Sequence, residues 1–90
     1  MIKIEKSDLK IIKKISKKFS VTFYAYGSRV KGTNKKFSDL DLVIKDFITD
    51  ENFFLIKEYF ASSDISIKID LHKLKDLNKD FIEKLHFEKV

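Results

Sequence analysis

Glycine serves where a backbone must take a shape closed to side chains, or approach another group closely. This 90-residue sequence has two glycines and no proline. Both glycines fall in one stretch, Gly27-Ser28-Arg29-Val30-Lys31-Gly32, which runs on to Ser38-Asp39-Leu40-Asp41-Leu42. The whole glycine supply thus sits in one loop, just ahead of two carboxylates spaced by two residues. On a strand that spacing puts both acids on one face. A tight, donor-rich turn beside paired acids is what magnesium-dependent phosphoryl chemistry requires.

Elements elsewhere must be bounded by Asn, Asp and Ser, since proline is absent. Ser7 is a candidate N-cap with Asp8 in the first turn, and Leu9, Ile12, Ile15 and Phe19 then recur at helical spacing among lysines. This predicts an amphipathic helix over 7–19. Residues 21–26, β-branched and aromatic, read as a buried strand ending at Gly27, with a short helix over 28–31. Residues 40–44 form a second strand, with Asp39 and Asp41 on one face and Leu40 and Leu42 on the other. Thr49 or Asp50 caps a helix carrying Phe53, Ile56, Tyr59 and Phe60. Ile65, Ile67, Ile69 and Leu71 alternate with Ser66, Lys68 and Asp70, predicting a half-buried third strand over 65–71. Asn78 caps a last helix with an apolar stripe of Leu77, Phe81, Ile82 and Leu85. The expected fold is α/β (α+β): a small sheet of about three strands flanked by helices, one domain over 1–90.

Composition narrows the class. Hydrophobic residues make up 43% of the chain, nine of them Phe, so a core needs no staples, and without cysteine there are neither disulfides nor thiolate metal sites. No apolar run approaches the ~18 residues of a membrane span, and the N-terminus lacks a signal-like apolar segment. A cytoplasmic protein with no membrane partner is expected. The formal net charge is +5, yet Arg29 is the only arginine. Base and phosphate readers favour arginine for its bidentate geometry, so direct nucleic-acid binding is not expected and the lysines read as a solvated surface.

Three carboxylates stand out: Asp39 and Asp41 on the second strand and Asp70 on the third. Clustered on one face they repel unless a cation neutralises them. Mg²⁺ suits oxygen ligands, and two ions about 3.5–4 Å apart can clamp both oxygens of an in-line displacement at phosphorus. The Gly27-Ser28 turn can receive phosphate oxygens on backbone N–H groups and the Ser28 hydroxyl, with Arg29 and Lys31 available as further partners. The stretch is neither a Walker A loop nor a dinucleotide fingerprint. His72 and His86 read as structural or exposed, Tyr24 and Tyr26 as packing residues, and Phe53, Phe54, Tyr59 and Phe60 as core or a subunit contact.

Gly27-Ser28, Gly32 and Ser38-Asp39-Leu40-Asp41-Leu42 resemble the signature of nucleotidyltransferases with the DNA polymerase β fold, which implies a mixed sheet. The chain's length and its ending, IDLHKLKDLN then FIEKLHFEKV, resemble the minimal nucleotidyltransferases of the MntA type. The resemblance implies that Gly27, Ser28, Gly32 and Ser38 belong to the triphosphate-binding loop. It implies that Asp39, Asp41 and Asp70 hold two Mg²⁺ ions, with Asp70 helping to deprotonate the acceptor. Val30, where alanine is common, and Lys35-Lys36-Phe37, replacing a polar run, depart from the pattern without removing a needed group. The implied function is AMP transfer from ATP to a tyrosine hydroxyl of a HEPN-type toxin, the chain acting as antitoxin alone or within a homo- or hetero-oligomer. Two alternatives stand beside it: an antitoxin that neutralises by binding alone, and a small-molecule nucleotidyltransferase completed by a partner subunit.

Overall fold

The computed structural model describes residues 2–33 and 38–90, so Lys35, Lys36 and Phe37 lie outside the described residues. The chain runs α1 (Lys6–Phe19), β1 (Phe23–Tyr26), α2 (Ser28–Lys31), β2 (Leu40–Ile44), α3 (Asp50–Ser62) and β3 (Ile69–Lys73). A 3₁₀ turn (Leu74–Asp76), α4 (Lys79–Lys84) and β4 (Glu88–Lys89) follow. The sheet order is β3-β2-β1-β4. β1 lies antiparallel to β2 and β4, while β2 and β3 are parallel and joined by α3 as crossover. The sheet is therefore mixed and has four strands rather than three. β4 escapes sequence reading because two polar residues carry no strand signal; pairing with β1 and the Val90 N–H to Phe23 carbonyl bond (3.0 Å) create it.

Pleat alternation divides the sheet. Phe23, Ala25, Leu40, Leu42, Ile44 and Leu71 face one way and pack against Ile12 and Ile15 of α1 and Ile56 and Phe60 of α3. Each such large side chain taken fully out of water contributes about 1.5–3 kcal/mol. The opposite face carries Tyr24, Tyr26, Asp41, Val43, Asp70 and His72, as the strand registers require. Over part of that face Phe81 and Phe87 set their rings against Tyr26, and Lys45 lies 4.2 Å over the Tyr24 ring.

Several elements sit where the periodicity places them, and the exceptions have physical causes. The third strand begins at Ile69 because only residues 69–73 register against β2. The segment before it is drawn toward α1, where Asp8 accepts from the Ser66 N–H (2.9 Å) and hydroxyl (2.5 Å). Asp8 lies in the first turn of α1 as expected and, at 2% exposed, is also a buried tether. The N-cap of α1 is Glu5, not Ser7, and makes no side-chain cap bond. Thr49 and Asn78 do cap α3 and α4, accepting from Asn52 N–H and Asp80 N–H respectively. Of the α3 aromatics only Phe60 is buried, while Phe54 is 60% exposed. The expected stripe of α4 is not core either, since none of that helix's residues is buried.

Lys73 continues the inward alternation of β3 and is buried, its amine donating to Asp50 in the first turn of α3. That hydrogen bond and the lysine's charge hold the Asp50 carboxyl below the usual range. A depressed carboxylate stabilises the fold above its unfolded pKa, and the contribution is lost as pH falls through the folded value.

Asp8→Ala strands the Ser66 donors, and a loss of about 2 kcal/mol is expected in urea unfolding. Ser7→Ala, which removes no cap, should leave the midpoint unchanged.

Candidate active site

The acids meet because of register. Tyr26, Asp41 and Asp70 occupy one row across β1, β2 and β3, since Tyr26 pairs with Asp41 and Asp41 with Asp70. Neighbouring strands lie about 4.8 Å apart, so side chains of one row on one face are forced together. The Asp41 carboxyl is consequently pushed up. Burial is the largest cause, followed by the charge of Asp70, a hydrogen bond with the Asp70 side chain, and the charge of Asp39. His72 pulls weakly the other way. Burial, helped by Asp41 and Asp70, also pushes the Tyr26 hydroxyl up to about 12, so this phenol stays protonated.

Gly27 closes the row from above. Its φ of 84° and ψ of −153° lie in a region open in practice only to glycine. A Cβ there would stand 2.4 Å from Asp41 Oδ2, so the missing side chain is what gives that carboxylate its room. From Gly27 the chain enters α2, whose Val30 and Lys31 N–H groups both return to the Gly27 carbonyl (3.1 Å). Gly32 ends that turn in the left-handed conformation, φ 79°, with open space where its Cβ would be. One turn of helix carries little macrodipole, so what this loop offers a phosphate is the first N–H groups of α2 and the half-buried Ser28 hydroxyl.

Arg29 corrects an expectation. It is 6% exposed, and its Nε and Nη2 both donate to the Ser38 carbonyl (3.0 and 2.8 Å) while Nη1 donates to the Lys3 carbonyl (2.6 Å). Lys3 N–H returns a bond to the Arg29 carbonyl (2.9 Å). Arg29 is thus a clamp that ties the N-terminal arm and α2 to the start of β2, one residue before Asp39. Its backbone carbonyl partners replace the phosphate oxygens that sequence reading assigned to it. Lys31 and Gly32 lie exposed at the end of α2.

The acids are not equivalent. Asp41 and Asp70 are in contact, whereas Asp39 is exposed just ahead of β2 and reaches Asp41 through its field. Among the described residues no three acids or histidines close on a metal-sized centre. His72, read from sequence as structural or exposed, is 38% exposed on the acids' face, with Nε2 3.1 Å from Asp70 Oδ1. The i, i+2 spacing of Asp70 and His72 on an alternating strand was the signal that could have found it.

Residues 9–89 match the family described as Polymerase beta, Nucleotidyltransferase. The chain belongs to this nucleotidyltransferase family. It is also similar to Probable protein adenylyltransferase MntA of Haemophilus influenzae (strain ATCC 51907 / DSM 11121 / KW20 / Rd), 38% identical over 87 residues. That alignment covers 89% of this chain and 74% of the relative. As a nucleotidyltransferase the protein transfers a nucleotidyl group. No helix among the described residues is long and apolar enough to cross a membrane.

Two substitutions separate geometry from strain. Gly27→Ala drives a Cβ into Asp41, and transfer should fall at least 100-fold with a stability loss of about 1–3 kcal/mol. Gly32→Ala meets nothing and should lose only about 1–2 kcal/mol of backbone preference, with transfer retained.

The raised Asp41 carboxyl gives a second test. A carboxyl raised in the fold binds its proton more tightly there than in the unfolded chain, so stability falls as pH rises from the ordinary Asp range through the folded value. In EDTA at neutral pH, Asp41→Asn should therefore melt higher than wild type, the gap closing as the pH is lowered through the acid range.

Proposed function

We propose that this nucleotidyltransferase moves AMP from ATP, with Mg²⁺, to a tyrosine hydroxyl of a partner protein. The observation that carries the reading is the Gly27 turn set directly over Asp41, with Asp70 beside it in register. The donor set fits Mg²⁺. Two carboxylates in contact, with a third in electrostatic range, form an all-oxygen set whose mutual repulsion a hard cation relieves. Mg²⁺ usually takes one or two carboxylates and completes its shell with water and substrate phosphates, so a cage of three converged protein ligands is not required. Bound by Asp41, Asp70 and Asp39, it would neutralise the acids and polarise the phosphoryl oxygens.

The chain's own residues then divide the work. Backbone N–H groups of the Gly27-Ser28 turn and the Ser28 hydroxyl hold phosphate oxygens. Asp70, half-exposed on β3, takes the proton of the acceptor hydroxyl as its oxygen attacks the α-phosphorus. The bond from that phosphorus to the bridging oxygen breaks, and pyrophosphate leaves.

A macromolecular acceptor is supported by the position of the acids. Among the described residues a groove of about 580 Å³ runs between α3 and the 63–71 segment on the core side of the sheet, away from the acids. Asp41 and Asp70 lie on the other face, beside the sheet edge formed by β3. A small acceptor would have little to hold it there, whereas a protein brings its own contact surface. The name of the Haemophilus influenzae relative supports protein as the acceptor class, and the minimal nucleotidyltransferase resemblance supports a HEPN-type toxin, silenced by the added phosphate charge.

Incubation of the protein with ATP, Mg²⁺ and the HEPN-like product of a neighbouring gene should add one nucleotidyl group to the toxin by intact mass. The Asp39→Asn, Asp41→Asn double variant should bind the toxin and leave its mass unchanged. A double variant that protects cells as well as wild type would establish occlusion in place of catalysis.

A further inference from the structure

We infer that His72 is a positioning residue that fixes the rotamer of Asp70 and so sets the affinity of the acid row for its divalent cation. The inference rests on the reading of Asp41 and Asp70 as cation ligands. Apart from its hydrogen bond with Asp41, Asp70 has little around it when the pair is ionised. It lies on the sheet-edge strand, its side chain is 48% exposed, and its neighbour in the row is another carboxylate that repels it when both are ionised. An unrestrained Asp70 would swing toward solvent and leave Asp41 to face a cation alone. His72 opposes this. Two residues on along β3, on the same face, it brings Nε2 to 3.1 Å from Asp70 Oδ1. With its proton on Nε2 the imidazole would donate to that oxygen, since a carboxylate only accepts.

His72 pairs in register with the fully buried Val43 of the neighbouring strand, which fixes its place on the sheet, and its side chain is 38% exposed. Hydrogen bonds of this kind, from a second residue to a ligating group, typically change metal affinity 10–100-fold when removed.

The test compares three variants of the full chain by the free Mn²⁺ signal in electron paramagnetic resonance, titrated with ATP present. His72→Phe keeps a ring and removes the donor, and Mn²⁺ affinity should fall at least 10-fold. His72→Gln keeps an N–H of similar reach, and affinity should return to within about threefold of wild type. His72→Asn is polar but too short to reach Oδ1; it should behave like Phe, and it carries the test if the Phe variant fails to fold. Equal affinity in wild type and His72→Asn, or a Gln variant as weak as Asn, overturns the inference while leaving the cation site standing. Wild type that binds no Mn²⁺ beyond the ATP control overturns the cation reading, and this inference with it.

Discussion

The structure turns on a contact that a side chain would destroy. Asp41 can occupy the centre of the sheet's open face only because Gly27 presents no Cβ to its Oδ2. Everything nearby follows from accommodating that carboxylate. β1 must end in a backbone shape closed to other residues, and α2 must begin at once to bring the chain back over the row. The price is electrostatic: a half-buried acid beside a second acid, with its proton affinity raised. A stable fold would not keep that arrangement for packing, since an apolar pair at 41 and 70 would be quieter. Under the proposed function the arrangement is a stored demand for positive charge, which a cation with nucleotide phosphates would satisfy.

Holding such a row requires rigid surroundings, and the chain provides them with buried charges. Arg29 binds the carbonyls of Lys3 and Ser38, Asp8 binds Ser66, and Lys73 binds Asp50. Each links segments distant in sequence, and each fixes a loop leading into or out of a strand that carries a site acid. Arg29 sets the start of β2 before Asp39, and Asp8 sets the approach to β3 before Asp70. Lys73 ties the end of β3 to the N-terminus of α3. Arg29, Asp8 and Lys73 are stabilising because they are hydrogen-bonded, and removing the partner of one of these buried groups leaves it unsatisfied in the interior.

These same charges mark the limit of what was legible in the sequence. Helices α1 and α3, strand β2 and the acid pair could be read because their patterns are local: a helical period, a two-residue alternation, a glycine where a turn is needed. The burial of Asp8 and Arg29 could not, because nothing within a few residues of either announces a partner 58 or 26 positions away. Reading Arg29 as a phosphate ligand was chemically sensible, since guanidinium favours any pair of oxygens; the fold simply supplies carbonyl oxygens first. β4 was invisible for a related reason, as its strand character comes wholly from β1. Asp70 and His72 lie on the same alternating face, and their proximity follows from the i, i+2 spacing.

The open placement of the acid row bears on where selectivity resides. In the proposed reaction Asp41 and Asp70 would serve whatever hydroxyl arrives in line with the α-phosphorus, and nothing in their chemistry discriminates one alcohol from another. Discrimination has to come from contacts made before the reaction. The described residues offer few such contacts near the row: Tyr26 and Phe87 on one side, His72 on the other, with β3 forming the boundary of the sheet. A protein acceptor laid against that boundary would use its own surface to fix the hydroxyl, so binding energy from remote contacts becomes orientation at phosphorus. In such a system the small domain supplies charge and geometry, and the partner's shape supplies the choice of target. Changes on the partner's docking surface should then alter selectivity more than changes on this side, short of those that touch the acids themselves.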